Sequence, residues 1–364
     1  MSLHVLTLTD FRNYERLDLV CSERINLVVG PNGHGKSNLL EAVQALSLGK
    51  SPKAASDSEL VRWGALGYSV AGRIGATRSP SVMELSYQPG RGKVCHLDGE
   101  RVKPLSDLVG RLRTVSVAPE SVEGECRRAG GRRRALDRFV AQCNSEYLQN
   151  LKAYQHAVER LNAVMKSRSD DALISAAEEP VCGLSVELTR KRLRMMDSLN
   201  THLLASYRQI ADVEADVEIG SQPSVANVEQ DDAVERLAAL LRSGRGQASR
   251  LGYIRHGAHR EPVDLRLNGR PAEQHASQGQ LKLAFIAWRL AEAAVFTELG
   301  GEKPTLVLDD PFSELDREHA MNLIDAFDGW GQMFLATARD DDLPLTGNRF
   351  ARIEVLEGHA ERVG

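Results

Sequence analysis

The sequence predicts an α/β protein in which one α/β lobe, carrying an antiparallel β meander, is split by a mainly helical second lobe. Three observations carry this expectation. Strand-like and helix-like segments occur together at both ends of the chain, a glycine-rich loop joins a buried strand to a helix start near residue 30, and after Pro119 the apolar period turns helical. A length of 364 residues also exceeds the roughly 250 to 300 that one hydrophobic core organises. Two lobes are therefore expected, 1–118 together with 246–364, and the inserted 119–245.

In chain order, Leu3, Val5, Leu6 and Leu8 fit a strand, Asp10 to Tyr14 a corner, and Ile25 to Val29 a buried strand. From Asn38, the residues Leu39, Leu40, Val43 and Leu46 recur at helical spacing, so the glycine-rich loop opens a helix. Residues 68–118 hold short alternating segments such as Val82 to Tyr87 and Val94 to Leu97. Pro89-Gly90 and Asp98-Gly99 divide them, the pattern of an antiparallel meander. Phe139, Val140, Tyr147, Leu148, Leu151, Tyr154, Val158, Leu161 and Val164 then mark one face of a long helix or helix pair. Helices are expected to about residue 208, with breaks at 167–171 and 176–180, and 220–232 reads as a surface connection. Val263 to Leu267 with Asn268-Gly269 suggests a strand and hairpin turn. A helix from Gln278 to Leu299, a strand at Leu306 to Leu308, a helix from Asp316 and a last buried strand at Met333 to Ala336 complete the reading.

Composition sets the class. A hydrophobic fraction of 42% with 26% charged residues is ordinary for a packed globular chain. The sequence has no apolar run of about 18 residues and its start lacks a basic-then-apolar segment, so a cytoplasmic protein without membrane contact is expected. The five cysteines, Cys21, Cys95, Cys126, Cys143 and Cys182, form no C-x-x-C pair and read as reduced thiols. A net charge of −4 gives no global support for nucleic-acid binding, so any such surface must be local. Its clearest candidate is Arg127, Arg128, Arg132, Arg133 and Arg134, followed by Arg190, Lys191, Arg192 and Arg194.

The loop Gly30-Pro31-Asn32-Gly33-His34-Gly35-Lys36-Ser37 satisfies G-x-x-x-x-G-K-[ST] at every fixed position, with Asn38 following. Glycines let successive backbone N–H groups turn towards a β-phosphate, and the helix that follows adds its positive end. Lys36 would bridge the β- and γ-phosphates of ATP while the Ser37 hydroxyl binds Mg²⁺. Downstream, Thr305-Leu306-Val307-Leu308-Asp309-Asp310 is an apolar strand ending in two carboxylates. In the same parallel sheet Asp309 can come beside Ser37 to hold the Mg²⁺, and Asp310 follows where a catalytic carboxylate could polarise the attacking water.

Three further segments resemble the ABC-type P-loop ATPases. Ser277-Gln278-Gly279-Gln280, at a helix start, is similar to their signature motif; Ser313-Glu314-Leu315-Asp316 follows the Asp pair as their D-loop does; and Thr337 ends the next strand where they carry a switch residue. The resemblance implies that Ser277, Gly279, Gln280, Asp316 and Thr337 contribute to nucleotide binding. It implies two subunits head to tail, each P-loop facing the other's signature helix across ATP.

Within that class the chain resembles the RecF family, in Leu8-Thr9-Asp10-Phe11-Arg12-Asn13-Tyr14, in the P-loop with Asn38-Leu39-Leu40-Glu41-Ala42, in Ala276 to Gln280 and in Leu308 to Asp316. Glu59 to Arg62, Arg133 to Asp137 and Gly257 to Arg260 extend the likeness over nearly the full length. It implies an SMC-like ATPase head that dimerises with ATP, binds DNA at gaps and single-stranded/duplex junctions through the Arg127 to Arg134 segment, and hydrolyses ATP weakly with DNA stimulation. It also implies cooperation with RecR and RecO in recombinational gap repair, replication restart and SOS induction. The chain departs from the family's usual pattern at 119–126 and at Pro311. A long-armed SMC protein needs a far longer coiled coil than 119–245 supplies, and a transporter subunit carries its signature much closer to its P-loop. A nucleotide-gated clamp without significant hydrolysis shares the same motifs, and Asp310 in place of a longer glutamate is the feature that favours it.

Overall fold

The computed structural model describes residues 2–76, 79–103, 107–118, 121–167, 170–211, 214–312, 317–327, 330–338 and 350–363. They gather into two compact units, 1–122 with 205–214 and 277–364, and 123–204 with 215–276. The sequence places the return to the first lobe at 246, whereas residues 246–276 group with the second unit. Pairing explains the difference: β9 (Val217–Ser221), a strand that only overlaps the start of the expected surface connection at 220–232, joins β10 (Val263–Leu267) antiparallel, and β10 joins β11 (Arg270–Pro271).

The first unit is built on two six-stranded sheets. One is an antiparallel meander in the order β2-β1-β4-β5-β6-β7, from β1 (Ser2–Phe11), β2 (Tyr14–Val20), β4 (Tyr68–Ala76), β5 (Ser79–Gln88), β6 (Gly92–Leu97) and β7 (Glu100–Arg101). The other follows the order β15-β14-β3-β13-β12-β8. It comprises β3 (Ile25–Val29), β8 (Thr114–Val117), β12 (Thr305–Asp309), β13 (Met333–Thr337), β14 (Phe350–Leu356) and β15 (His359–Val363). All its neighbours pair parallel except the last hairpin, β14 with β15. β8 thus leaves the expected meander for the parallel sheet, and β14 and β15 are strands the sequence reading did not reach.

Helix α1 (Lys36–Leu48) touches strands of both sheets, and Leu39, Leu40, Ala42, Val43, Ala45 and Leu46 are buried in their shared core. A helix buried nearly all round is stable only when covered on both sides, as here. Gln332 adds a polar stitch: its side chain accepts from Leu3 N at 2.7 Å and donates to the carbonyls of Leu3 and Ser22, each at 2.7 Å.

In the second unit α2 (Ala129–Cys143) packs against α3 (Ser145–Lys166) and β10, and α3 packs against α5 (Ala233–Leu251). The expected break at 176–180 is absent, because α4 runs unbroken from Asp171 to Ala211 with Pro180 inside it. Buried Ile174, Ala177, Val181 and Cys182 anchor both sides of the proline, which outweighs the one backbone hydrogen bond it forfeits. Among the described residues no helix is long and apolar enough to cross a membrane.

Candidate functional site

Parallel strands bring their carboxyl ends to one edge of the sheet, so residues distant in sequence meet where β3, β12 and β13 stop. The loop 30–35 leaves β3 there. Gly30 lies against the backbone of Val355, where a Cβ would collide with its carbonyl oxygen, and Gly35 has φ +120 with Asn13 Nδ2 only 2.6 Å from where a Cβ would stand. Gly35 starts α1, and no side chain caps that N-terminus. Its first-turn N–H groups and the end of the helix dipole therefore favour an anion.

The loop is fastened from outside, by Asn38 and by residues to which the sequence assigns no role. Asn13 Nδ2 donates to His34 O at 2.9 Å, Asn38 Nδ2 donates to Asn13 Oδ1 at 2.8 Å, and the Tyr14 hydroxyl donates to Gly35 O at 3.0 Å. Burial pushes the Tyr14 phenol well above its usual value, so it remains a donor. From the last hairpin, Glu357 N donates to His34 Nδ1 at 3.2 Å and Gly358 N to His34 O at 3.1 Å. His34 thus serves the loop's shape. In the sequence Asn13 and Tyr14 stand in a corner before the loop and in the family-like segment Leu8 to Tyr14, and neither signal gives their role.

Inside the cleft, Lys36 Nζ donates to the carbonyls of Gly30 at 2.6 Å and Pro31 at 3.0 Å. Burial lowers its pKa, opposed by the negative charges of Asp309 and Asp310. Ser37 Oγ donates to Asp309 Oδ1 at 3.1 Å, a contact between residues 272 positions apart. The other oxygen of Asp309 faces Lys53 Nζ at 3.3 Å. Lys53 was not singled out from the sequence, where no motif marks it. Asp310 sits at φ 47 with its N–H bonded to Ala336 O at 2.9 Å. A cleft of about 260 Å³ is lined by Asn32, Gly33, Gly35 to Asn38, Asp309, Asp310 and Thr337 among others.

The structure therefore brings together the loop, the Asp pair and Thr337. It does not bring Ser277, Gly279 or Gln280 to that cleft. Ser277 follows the short helix α6 (Ala272–His275) and caps α7 (Gln278–Gly300), accepting from Gln280 N at 3.2 Å while Ser277 N donates to Gln280 Oε1 at 3.0 Å, a capping box on an exposed turn. Asp316 lies outside the described residues.

The Ser37 hydroxyl and Asp309 carboxylate are hard oxygen donors suited to Mg²⁺. Among the described residues no group of three or more His, Cys, Asp or Glu could hold a metal, so such an ion needs phosphate or water oxygens to complete its shell.

The arginine segment requires a correction. Arg132 is fully buried, donating to Val263 O at 2.5 Å, Cys126 O at 2.6 Å and Glu273 Oε1 at 3.2 Å, so it braces the second unit from within and is not an outward phosphate contact. Arg133 donates to Glu261 O at 3.0 Å and its pKa is lowered, first by burial and then by nearby Arg192. Arg127 pairs with Glu123 at 2.9 Å, while Arg128 and Arg134 are exposed. Of the later run, Arg192 is buried against Asp137 at 2.8 Å.

A parallel sheet with a P-loop after its central strand, an Asp pair after a neighbouring strand and an antiparallel meander on the other side of α1 define an ABC-type ATPase head. The family model described as the RecF/RecN/SMC N-terminal domain matches residues 2–357. The chain belongs to the RecF family within that group. It is 32% identical over 372 residues to the DNA replication and repair protein RecF of an Exiguobacterium species, covering 99% of each chain. It is 33% identical to that of Listeria monocytogenes serotype 4b, covering 93% of each. Among solved structures, the recombination mediator protein RecF-ATPrS in the RecFOR pathway superposes with a TM-score of 0.91 at 26% identity, covering 100% of this chain and 98% of that one. The Pyrococcus furiosus Smc head domain shares the fold alone, with a TM-score of 0.57 at 16% identity.

Proposed function

We propose that this chain is an ATP-driven DNA replication and repair protein that binds ATP with Mg²⁺, dimerises head to tail around it, and hydrolyses it slowly with DNA as stimulant. The observation that carries the reading is the Ser37 to Asp309 contact of 3.1 Å, which joins the P-loop to the Asp pair in one cleft. In it the P-loop amides and Lys36 receive the phosphates, and Ser37 and Asp309 hold the metal. Bound magnesium supplies charge neutralisation at the phosphate oxygens. Asp310 orients the attacking water, and Thr337 reports on the γ-phosphate.

Support for dimerisation comes from Ser277, exposed at the start of α7 and apart from its own cleft. The Ser277 hydroxyl accepts from Gln280 N but keeps its own proton to donate, and with the exposed Gly279 and Gln280 this helix N-terminus fits the γ-phosphate held by a second copy; a contribution from Asp316 rests on the resemblance alone. Names of the relatives support work in DNA repair, and the RecFOR setting of a similar structure supports RecR and RecO as partners. We assign the first unit to nucleotide chemistry and the second, through Arg128 and Arg134, to single-stranded/duplex DNA junctions at gaps. The biological setting is gap repair, replication restart and SOS induction.

Sedimentation with and without ATP tests this. Wild type should double its mass only with ATP, Ser277→Arg should bind ATP as a monomer, and Lys36→Ala should neither bind nor dimerise. A mass independent of nucleotide defeats the shared-site mechanism. A nucleotide-gated clamp with negligible hydrolysis is the second reading, favoured by the short Asp310 side chain in a left-handed backbone.

A further inference from the structure

We propose that Lys53 is the internal counter-cation of the metal site, seated on Asp309 until a divalent ion with nucleotide displaces it. This rests on the reading of Asp309 as a magnesium ligand. One carboxylate oxygen of Asp309 is engaged by the Ser37 hydroxyl at 3.1 Å and the other by the Lys53 ammonium at 3.3 Å, so both faces of the expected metal ligand are already in use. Asp309 is nearly buried, and a carboxylate there is costly without a positive partner. Lys36 does not fill that role alone, since its ammonium is tied to the carbonyls of Gly30 and Pro31.

Lys53 is delivered to this position by a rigid strut. Ser51 Oγ accepts from Lys53 N and Ala54 N, each at 2.9 Å, which closes a tight turn. The same hydroxyl donates to Glu41 Oε1 at 2.5 Å, and Glu41, buried on α1, receives two bonds of 2.8 Å from Arg12. The turn is thus pinned to the helix that carries Ser37. Lys53 is 28% exposed, and an ammonium on four methylenes can swing without moving its backbone. A magnesium ion in contact with Asp309 and Ser37 would stand within a few ångström of an ammonium on the same carboxylate, and like charges that close repel. Only one cation stays. Once released, Lys53 remains beside the cleft as a positive group near incoming phosphate oxygens.

The probe is a fluorescent N-methylanthraniloyl ATP, titrated with MgCl₂ from an EDTA baseline against wild type, Lys53→Met, Lys53→Gln and Lys53→Arg. Removing the competing charge should lower the Mg²⁺ concentration at half-saturation by about threefold or more in the Met and Gln variants, whereas Lys53→Arg should stay near wild type. Thermal melts of the same proteins read out folding. A lower melting temperature with an unmoved or raised Mg²⁺ midpoint in both variants would mean that Lys53 is only structural, and would overturn the proposal. Wild-type binding that is indifferent to Mg²⁺ would overturn the metal reading of Asp309 itself, a failure distinguishable from the first.

Discussion

At the scale of single residues, the roles proposed in the cleft separate groups that bind from one that acts. Lys36 and Ser37 are fixed by the loop and by Asp309, whereas Asp310 is held through its backbone N–H at the end of β12. A general base typically contributes ~10² to 10⁴ in rate. We therefore expect Asp310→Asn to bind ATP normally and to slow single-turnover hydrolysis by roughly 10²-fold or more. Equal rates would remove Asp310 from the chemistry and favour the clamp. The loop, Lys36, Ser37, Asp309 and Asp310 were legible because each sits in a motif whose spacing has a physical meaning. Lys53, Asn13 and Tyr14 were not, since their roles exist only where separate segments converge.

Elements repeat the lesson with a different cause. Strands with alternating or continuous apolar residues, such as β3, β10 and β12, stand within a residue or two of where the sequence put them. α4 defied a proline, and β9, β14 and β15 escaped notice because short strands gain their stability from neighbours that one sequence window does not contain. The turn after α5 gives a testable case. His259 Nδ1 meets the Tyr154 hydroxyl at 2.7 Å, tying that turn to α3, and burial, then Arg260, lowers the imidazole pKa to about 4. The unfolded chain titrates near 6.5. Stability from this group is therefore full above pH ~6.5, falls as the unfolded imidazole alone takes up a proton, and is lost below about 4. Allowing for partial exposure, the loss is about 2 kcal/mol. Urea unfolding at pH 7 and 4.5 should show a smaller acid loss for His259→Gln than for wild type; identical pH dependence would refute the burial argument.

For the whole molecule, the basic segment divides into scaffold and surface. Arg132→Ala leaves two carbonyls and Glu273 without their buried donor, which should cost about 3 kcal/mol and show as a lower urea midpoint. Arg128→Ala with Arg134→Ala should leave stability within about 0.5 kcal/mol and flatten the salt dependence of DNA binding by up to about two phosphate contacts. An unchanged slope would move the DNA surface elsewhere. The periodicity that identified the helical unit could not reveal this division, because a buried arginine and an exposed one look alike in a run.

The hairpin β14 to β15 carries one more consequence. Val355, Glu357 and Gly358 form a wall of the nucleotide loop, yet His34 and Glu357 stand 323 positions apart. On the ribosome, residues 123–204 and 215–276, which form the second unit, can emerge and pack together while the P-loop still lacks its far side. Its assembly awaits synthesis of residues 355–358, a long-range closure that belongs among the slow steps of folding. An arrested chain ending before residue 350 should therefore carry the whole Gly30 to Ser37 motif and still fail to retain ATP.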